Sequence, residues 1–305
     1  MKRTCIVLIL GLLLQIKGYS QHFPIYSQYM MNGLAINPAY AGSRDVLSAT
    51  FLYRKQWVGF DGAPTIYSMA AHMPFRNQRV ALGFLIANES IGIENNTSLF
   101  GNYAYRVNLG KGKLALGLKA GFNIVKEQNS KITLHDPNSD IAFENIKETA
   151  FLPDFGFGMY FSNTKYFVGF SVPSLLNYKS NGEISKTELK SYNLLLTGGY
   201  LLKFSDQIKL KPSTLVKYKY ESLPQYDLNL NLILFKDDIL WVGASYRNKE
   251  AFIYLIEVQL SRKFRLGYSF DQSIGKLSNY NNGSHEIMIR YEWRDKVRTL
   301  NPLYF

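Results

Sequence analysis

Three observations predict the fold class: an all-β chain closing into a transmembrane, antiparallel β-barrel of the outer-membrane type, with about fourteen strands. The first is a two-residue hydrophobic alternation that returns in segments of about ten residues from Val46 to Trp293. Successive strand side chains point to opposite faces, so such a segment is oily on one side only. Leu114, Leu116, Leu118, Ala120 and Phe122 fall on one face, and Ala115, Gly117, Lys119 and Gly121 on the other. The second is aromatic content, 15% of the chain, which suits an oily face that meets lipid better than the core of a soluble sandwich. The third is that long and short connections alternate.

Residues 1–20 read as a secretory signal. Lys2 and Arg3 form its basic start, Ile6 to Leu14 its apolar core and Gly18-Tyr19-Ser20 its cleavage site, with the mature chain beginning at Gln21. That core is shorter than the roughly 18 residues a membrane helix needs, and no later stretch reaches that length without a charged or strongly polar residue. The only cysteine, Cys5, lies inside the signal, which excludes disulfides and cysteine chemistry from the mature chain. Loss of Lys2, Arg3 and Lys17 lowers the formal charge from +12 to +9. Lysines spread along the strands of an exported chain fit anionic lipid heads or a polar lumen, and nucleic acid is not an expected partner.

Residues 21–45 lack the alternation and are expected to be periplasmic or inserted in the lumen. The predicted strands are 46–54, 65–73, 80–88, 97–107, 113–123, 152–162, 165–173, 190–202, 207–219, 226–235, 239–247, 252–260, 263–270 and 285–293, making one barrel domain over 46–293. The ninth carries lysine on one face, and Lys209, Lys211, Lys217 and Lys219 are candidate lumen-facing residues. Pro212 cannot donate to a ladder and predicts a bulge or irregular stretch there. Connections 55–64, 89–96, 124–151, 174–189, 220–225, 248–251 and 271–284 include every long loop and face outward; the other six are tight turns facing the periplasm. An even strand count puts both ends of the barrel on the periplasmic side, with a tail over 294–305. The lumen is either a small pore or is closed by the N-terminal segment and the 124–151 loop.

No constellation carries chemistry. His22, His72, His135 and His285 lack metal-ligand spacing, and Asp136, Asp140 and Glu144 lack the pattern of a calcium loop. There is no G-x-S-x-G, His135-Asp136 is a poor start for a triad, and Gly110-Lys111-Gly112 reads as a turn. No cofactor, metal or catalytic residue is expected. Tyr246, Tyr268, Tyr291 and Trp293 read as membrane-interface girdle residues.

Two stretches are more specific than periodicity. One is Ser27-Gln28-Tyr29-Met30-Met31-Asn32, followed by Ile36-Asn37-Pro38-Ala39-Tyr40-Ala41-Gly42-Ser43 and then by Leu52-Tyr53-Arg54-Lys55-Gln56-Trp57-Val58-Gly59-Phe60-Asp61-Gly62-Ala63-Pro64. The other is the terminal Asn301-Pro302-Leu303-Tyr304-Phe305. Together they resemble the PorP/SprF family of outer-membrane proteins associated with the type IX secretion system. Leu303 stands where the family carries Arg, so no role passes to that position. The resemblance implies a non-enzymatic, integral outer-membrane barrel that helps export or anchor surface proteins such as adhesins, some relatives serving gliding motility. The implied partners are the exported protein, engaged through its C-terminal region, secretion-system components, a periplasmic peptidoglycan-binding lipoprotein, and lipid and lipopolysaccharide. The signature residues Gln28, Tyr29, Asn37, Pro38, Tyr40, Gly42, Arg54, Gln56, Trp57, Gly59 and Phe60 either fold onto the barrel's lumen or rim, or touch a partner. Arg54, Lys55 and Trp57, at the outer end of the first hairpin, have three open roles: binding lipopolysaccharide phosphates, plugging the barrel or holding a partner. The runner-up reading is a passive, porin-like channel for small anionic solutes.

Overall fold

The computed structural model describes residues 26–127, 149–178, 184, 191–220 and 222–293. Fourteen strands form the wall. They are β1 (Leu47–Lys55), β2 (Thr65–Pro74), β3 (Val80–Ile91), β4 (Glu94–Leu109), β5 (Gly112–Glu127), β6 (Thr149–Ser162) and β7 (Tyr166–Val172). After these come β8, in two pieces (Leu194–Tyr200 and Leu202–Lys203), β9 (Ile208–Tyr218), β10 (Gln225–Leu234), β11 (Leu240–Arg247), β12 (Ala251–Gln259), β13 (Phe264–Ser273) and β14 (Ser284–Trp293). Each strand pairs antiparallel with its sequence neighbours, and β14 returns to β1 with Leu47 opposite Trp293. The sheet is a closed barrel, which removes the free edges that a membrane would not tolerate.

The alternation read from sequence sorts the two faces. On β5, Leu116 and Leu118 are exposed on the outside, while Ala115 is buried inside. On β10, Leu228, Leu230 and Leu232 face out and Asp227, Asn229 and Asn231 are buried. An exposed apolar exterior around a buried polar interior inverts the soluble pattern and belongs to a wall bathed in lipid.

Three expectations need correction. Residues 89–96 are not a long outer loop: β3 and β4 run on to Ile91 and Glu94 and join through the tight turn Gly92-Ile93. Glu89, Ser90, Asn95, Asn96 and Thr97 are polar on both faces, so they carry no alternation, yet they pair as a sheet above the lipid belt. Outside, Asn88 Nδ2 donates to Asn95 Oδ1 and Thr97 Oγ1, both at 2.9 Å. The 124–151 loop is likewise shortened by β5 and β6, which extend to Glu127 and from Thr149; residues 128–148 lie outside the described residues. At Pro212 there is no bulge. Ser213↔Gly199 and Leu210↔Leu202 share one register, and the interruption falls on the neighbour, at Leu201 between the two pieces of β8. Pro212 has no N–H to give that strand, so the ladder skips without an inserted residue.

β6 overshoots the short β7 by Thr149–Gly156. The chain beyond β7 folds back on it: Leu175 N donates to Phe155 O at 2.8 Å. The Asp154 carboxylate gathers Ser174 Oγ (3.0 Å) and Leu175 N (3.3 Å).

Candidate functional site in the barrel lumen

The N-terminal segment occupies the lumen. From Tyr26 to Arg44 every residue is buried except Met30 and Ala35, which are half-buried. Its path runs from the long-loop end of the barrel to the short-turn end, where β1 begins.

At the long-loop end it is held by charge. Ser27 N and Gln28 N donate to the two oxygens of Glu286 (2.9 and 2.7 Å), and Ser27 Oγ to Asp271 (2.7 Å). Arg54 bridges the same groups, donating to Ser27 Oγ at 2.8 Å and to Asp271 at 2.7 Å, and lies 3.3 Å from Glu286. Arg247, fully buried and paired with Asp227 at 2.9 Å, donates to Tyr26 O at 3.2 Å. Buried cations and carboxylates in this number persist only when they neutralise one another. Burial pushes the phenols of Tyr26 and Tyr29 above the ordinary tyrosine range, so both stay neutral. Tyr29 Oη accepts from Asn229 Nδ2 (2.5 Å), and Arg290 donates to the carbonyl of Met31.

In the middle the segment is held by fit. It makes two short 3-10 turns, Gly33–Ala35 and Pro38–Tyr40; Asn37 caps the second by accepting from Ala39 N at 2.9 Å. Proline at the first position of that turn suits its missing N–H. The turn rests on a patch of wall without side chains. Gly117 (β5) faces Gly158 (β6) across the ladder, and Gly169 lies beside them on β7. A Cβ at Gly117 would strike the Ala39 backbone, and one at Gly158 would strike Asn37 Oδ1. Because the patch is bare, Asn37 Nδ2 reaches the wall's own carbonyls, Met159 O at 2.9 Å and Phe170 O at 3.3 Å. Ser171 Oγ donates to Ile36 O at 2.6 Å. Tyr40 meets Tyr160 and His72 edge-on, each with centroids 5.5 Å apart.

At the short-turn end Gly42, at φ +74° and packed on Ala81, turns the chain and donates to His72 Nδ1 (3.1 Å). Arg44 pairs with Glu292 at 2.5 Å. Burial disfavours the Arg44 charge, but Glu292, Tyr40 and Glu257 together outweigh it, and the guanidinium is held above its ordinary value. Asp45 takes Arg106 (2.6 Å) and Lys113 (3.2 Å). Beside Tyr29, Asn37, Tyr160 and Lys211 lies a cavity of about 30 Å³, room for one or two waters.

A buried, motif-rich segment seated in an outer-membrane-type barrel sets the geometry against which known proteins can be compared. The sequence-family model described as type IX secretion system membrane protein PorP/SprF matches residues 19–291. The chain belongs to this family. No curated protein gives a match. Among solved structures, the monoaromatic hydrocarbon channel CymD is similar at TM-score 0.52 and 13% identity, covering 92% of this chain and 97% of that one. Acinetobacter baumannii Omp33 follows at 0.47 and 9%, covering 82% and 100%, and Escherichia coli outer membrane phospholipase A at 0.38 and 12%, covering 81% and 92%. At these identities the likeness is one of fold alone, and only that to CymD is close enough to count. Family and fold make this PorP/SprF chain an integral outer-membrane protein.

The PorP/SprF signature divides between two places. Gln28, Tyr29, Asn37, Pro38, Tyr40, Gly42 and Arg54 lie in the lumen. Gln56, Trp57, Gly59 and Phe60 form the first outer loop, where Gln56 N donates to Pro64 O (2.9 Å) and Trp57 N to Ser284 Oγ (3.1 Å). Gly59 takes φ +92°, and Phe60 is exposed. On β9, Lys209, Lys211 and Lys217 are buried, and Lys219, just past its end, is half-buried. Lys209 pairs with Asp238 (2.6 Å), and Lys211 lies between the rings of Phe167 and Trp241 at 5.4 and 5.5 Å. His285 meets Tyr268 Oη (2.7 Å) on the outside; among the described residues no acidic, His or Cys group has the makings of a metal site. His22, His135, Asp136, Asp140, Glu144, the signal and the terminal Asn301–Phe305 motif lie outside the described residues.

Sequence reasoning missed Asp271, Glu286, Arg247 and the glycine seat, and read Ser27 only as part of the signature. A signal for the charged ones was present: Asp227, Arg247, Glu257, Arg265, Asp271, Glu286 and Arg290 all fall on the inward parity of β10–β14.

Proposed function

We propose that this type IX secretion barrel is a non-conducting platform that retains exported surface proteins such as adhesins at the outer face, engaging their C-terminal regions. It serves gliding motility where such adhesins drive movement. The observation that carries this reading is the filled lumen. Residues 26–44 run buried through the lumen from the long-loop end to the short-turn end, which supports a plugged barrel whose partners are met at the rims, where Phe60 is exposed on the first outer loop. A periplasmic peptidoglycan-binding lipoprotein is the second partner in this reading. Binding, not catalysis, is the activity proposed.

The test is affinity capture from gently solubilised outer membranes, with mass spectrometry of what is retained. A large exported adhesin or secretion-system subunits should be recovered. Recovery of the barrel alone, under conditions that keep other membrane complexes whole, would contradict the platform. The passive anion channel is favoured only by the lysine face of β9. Lys209 is paired with Asp238 and Lys211 is buried against two rings, which weighs against that reading.

A further inference from the structure

We infer that the short-turn end of the barrel carries a binding ring for anionic phospholipid headgroups of the inner leaflet. All six short turns couple an exposed cation to an exposed apolar side chain. Arg76 stands beside Phe75, Lys111 near Leu109, and Lys165 beside Tyr166. Around the other half, Lys203 stands beside Phe204, Lys236 beside Phe235, and Lys263 beside Phe264.

Because the strands pair in sequence order, these turns lie in a circle around the barrel mouth. With Arg79 and Arg262, and with Lys203 at the end of β8, the circle holds eight cations against three carboxylates. Asp206 is paired with Lys203, which takes both out of the balance, and Asp238 is buried with Lys209, leaving seven cations against Asp237. The seven opposite connections carry eight cations and nine carboxylates, so the asymmetry belongs to one end.

The apolar partners decide between a lipid and a soluble acidic ligand. Exposure alone is not the distinction, since the long-loop end exposes Leu223 and Tyr280 as freely. The short-turn end differs in that every turn pairs such a side chain with a cation, as Phe204, 68% exposed, stands beside Lys203. At a membrane surface the two halves fit together: the apolar side chain enters the acyl region while the neighbouring cation meets phosphate. Lys263 shows the arrangement, its ammonium 4.7 Å from the Trp293 ring at the foot of the lipid-facing wall. Short turns face the periplasm in outer-membrane barrels, which places the ring against the inner leaflet.

The test is native mass spectrometry of the full-length barrel in detergent, with phosphatidylglycerol and phosphatidylcholine of equal chain length. Phosphatidylglycerol should be retained roughly fivefold over phosphatidylcholine. Two half-ring variants, R76Q/K111Q/K165Q and K203Q/K236Q/K263Q, should each lower that ratio about twofold. Each leaves half the ring intact, and heat-modifiable gel migration confirms that it is folded. Equal retention of the two lipids, or an unchanged ratio in both variants, would overturn the assignment. So would displacement of the lipid by inorganic phosphate, or loss in the variants of an acidic periplasmic protein while lipid retention stays the same.

Discussion

Arg54 shows how much rests on single residues in this lumen. It is fully buried with Asp271 and Glu286, and it reaches the plug through Ser27. Removing one member of a buried charge group leaves the others unneutralised, at a cost of about 3–5 kcal/mol. R54M should therefore lower barrel stability by that amount in detergent unfolding. A loss under about 1 kcal/mol would mean the group behaves as a solvated surface pair. The glycine seat makes a second demand. G158V places methyl groups where Asn37 Oδ1 sits, and overpacking of this kind costs about 1–3 kcal/mol. It should loosen the plug, read as faster protease cleavage near the N-terminus. G198V, with only Phe167 O at 3.7 Å, should leave cleavage unchanged. Asn37 and Arg54 were both legible as special in the sequence, through a motif. What they touch was not, because Gly158, Asp271 and Glu286 are more than a hundred residues away and carry no local mark of the contact.

At the scale of the element, the strands that alternate were the ones read correctly. Leu114–Phe122 and Leu228–Leu234 announce their faces because lipid and a polar interior demand opposite side chains. Glu89–Thr97 escaped that logic: above the lipid belt both faces are polar, period two vanishes, and a paired hairpin reads as a loop. Pro212 was rightly awkward, yet its effect fell across the ladder at Leu201 and not within β9. Restoring the missing donor with P212T should close that gap. The new amide at position 212 should then exchange several-fold more slowly than an unbonded one, worth about 1 kcal/mol for a regained hydrogen bond. Exchange at the unbonded rate would place the cause elsewhere. The plug is the element least legible of all. Residues 26–44 have neither strand nor helix periodicity, and their order comes from the wall they fill.

For the whole molecule the consequence is a barrel of fourteen strands with residues 26–44 buried inside it. Such a wall is wide enough to enclose more than its own side chains, and the extra room is taken by residues 26–44. The oily exterior, the charged interior and the closed sheet follow from one repeated pattern. Among the described residues, the segment that lacks it, residues 26–44, is the one that lies in the lumen. Conductance across a planar bilayer therefore separates platform from channel. The full-length barrel should be silent, and a variant lacking residues 26–44 that still shows heat-modifiable folding should pass steady current. A full-length barrel with stable, anion-selective conductance would contradict the plugged lumen and return the channel reading to first place.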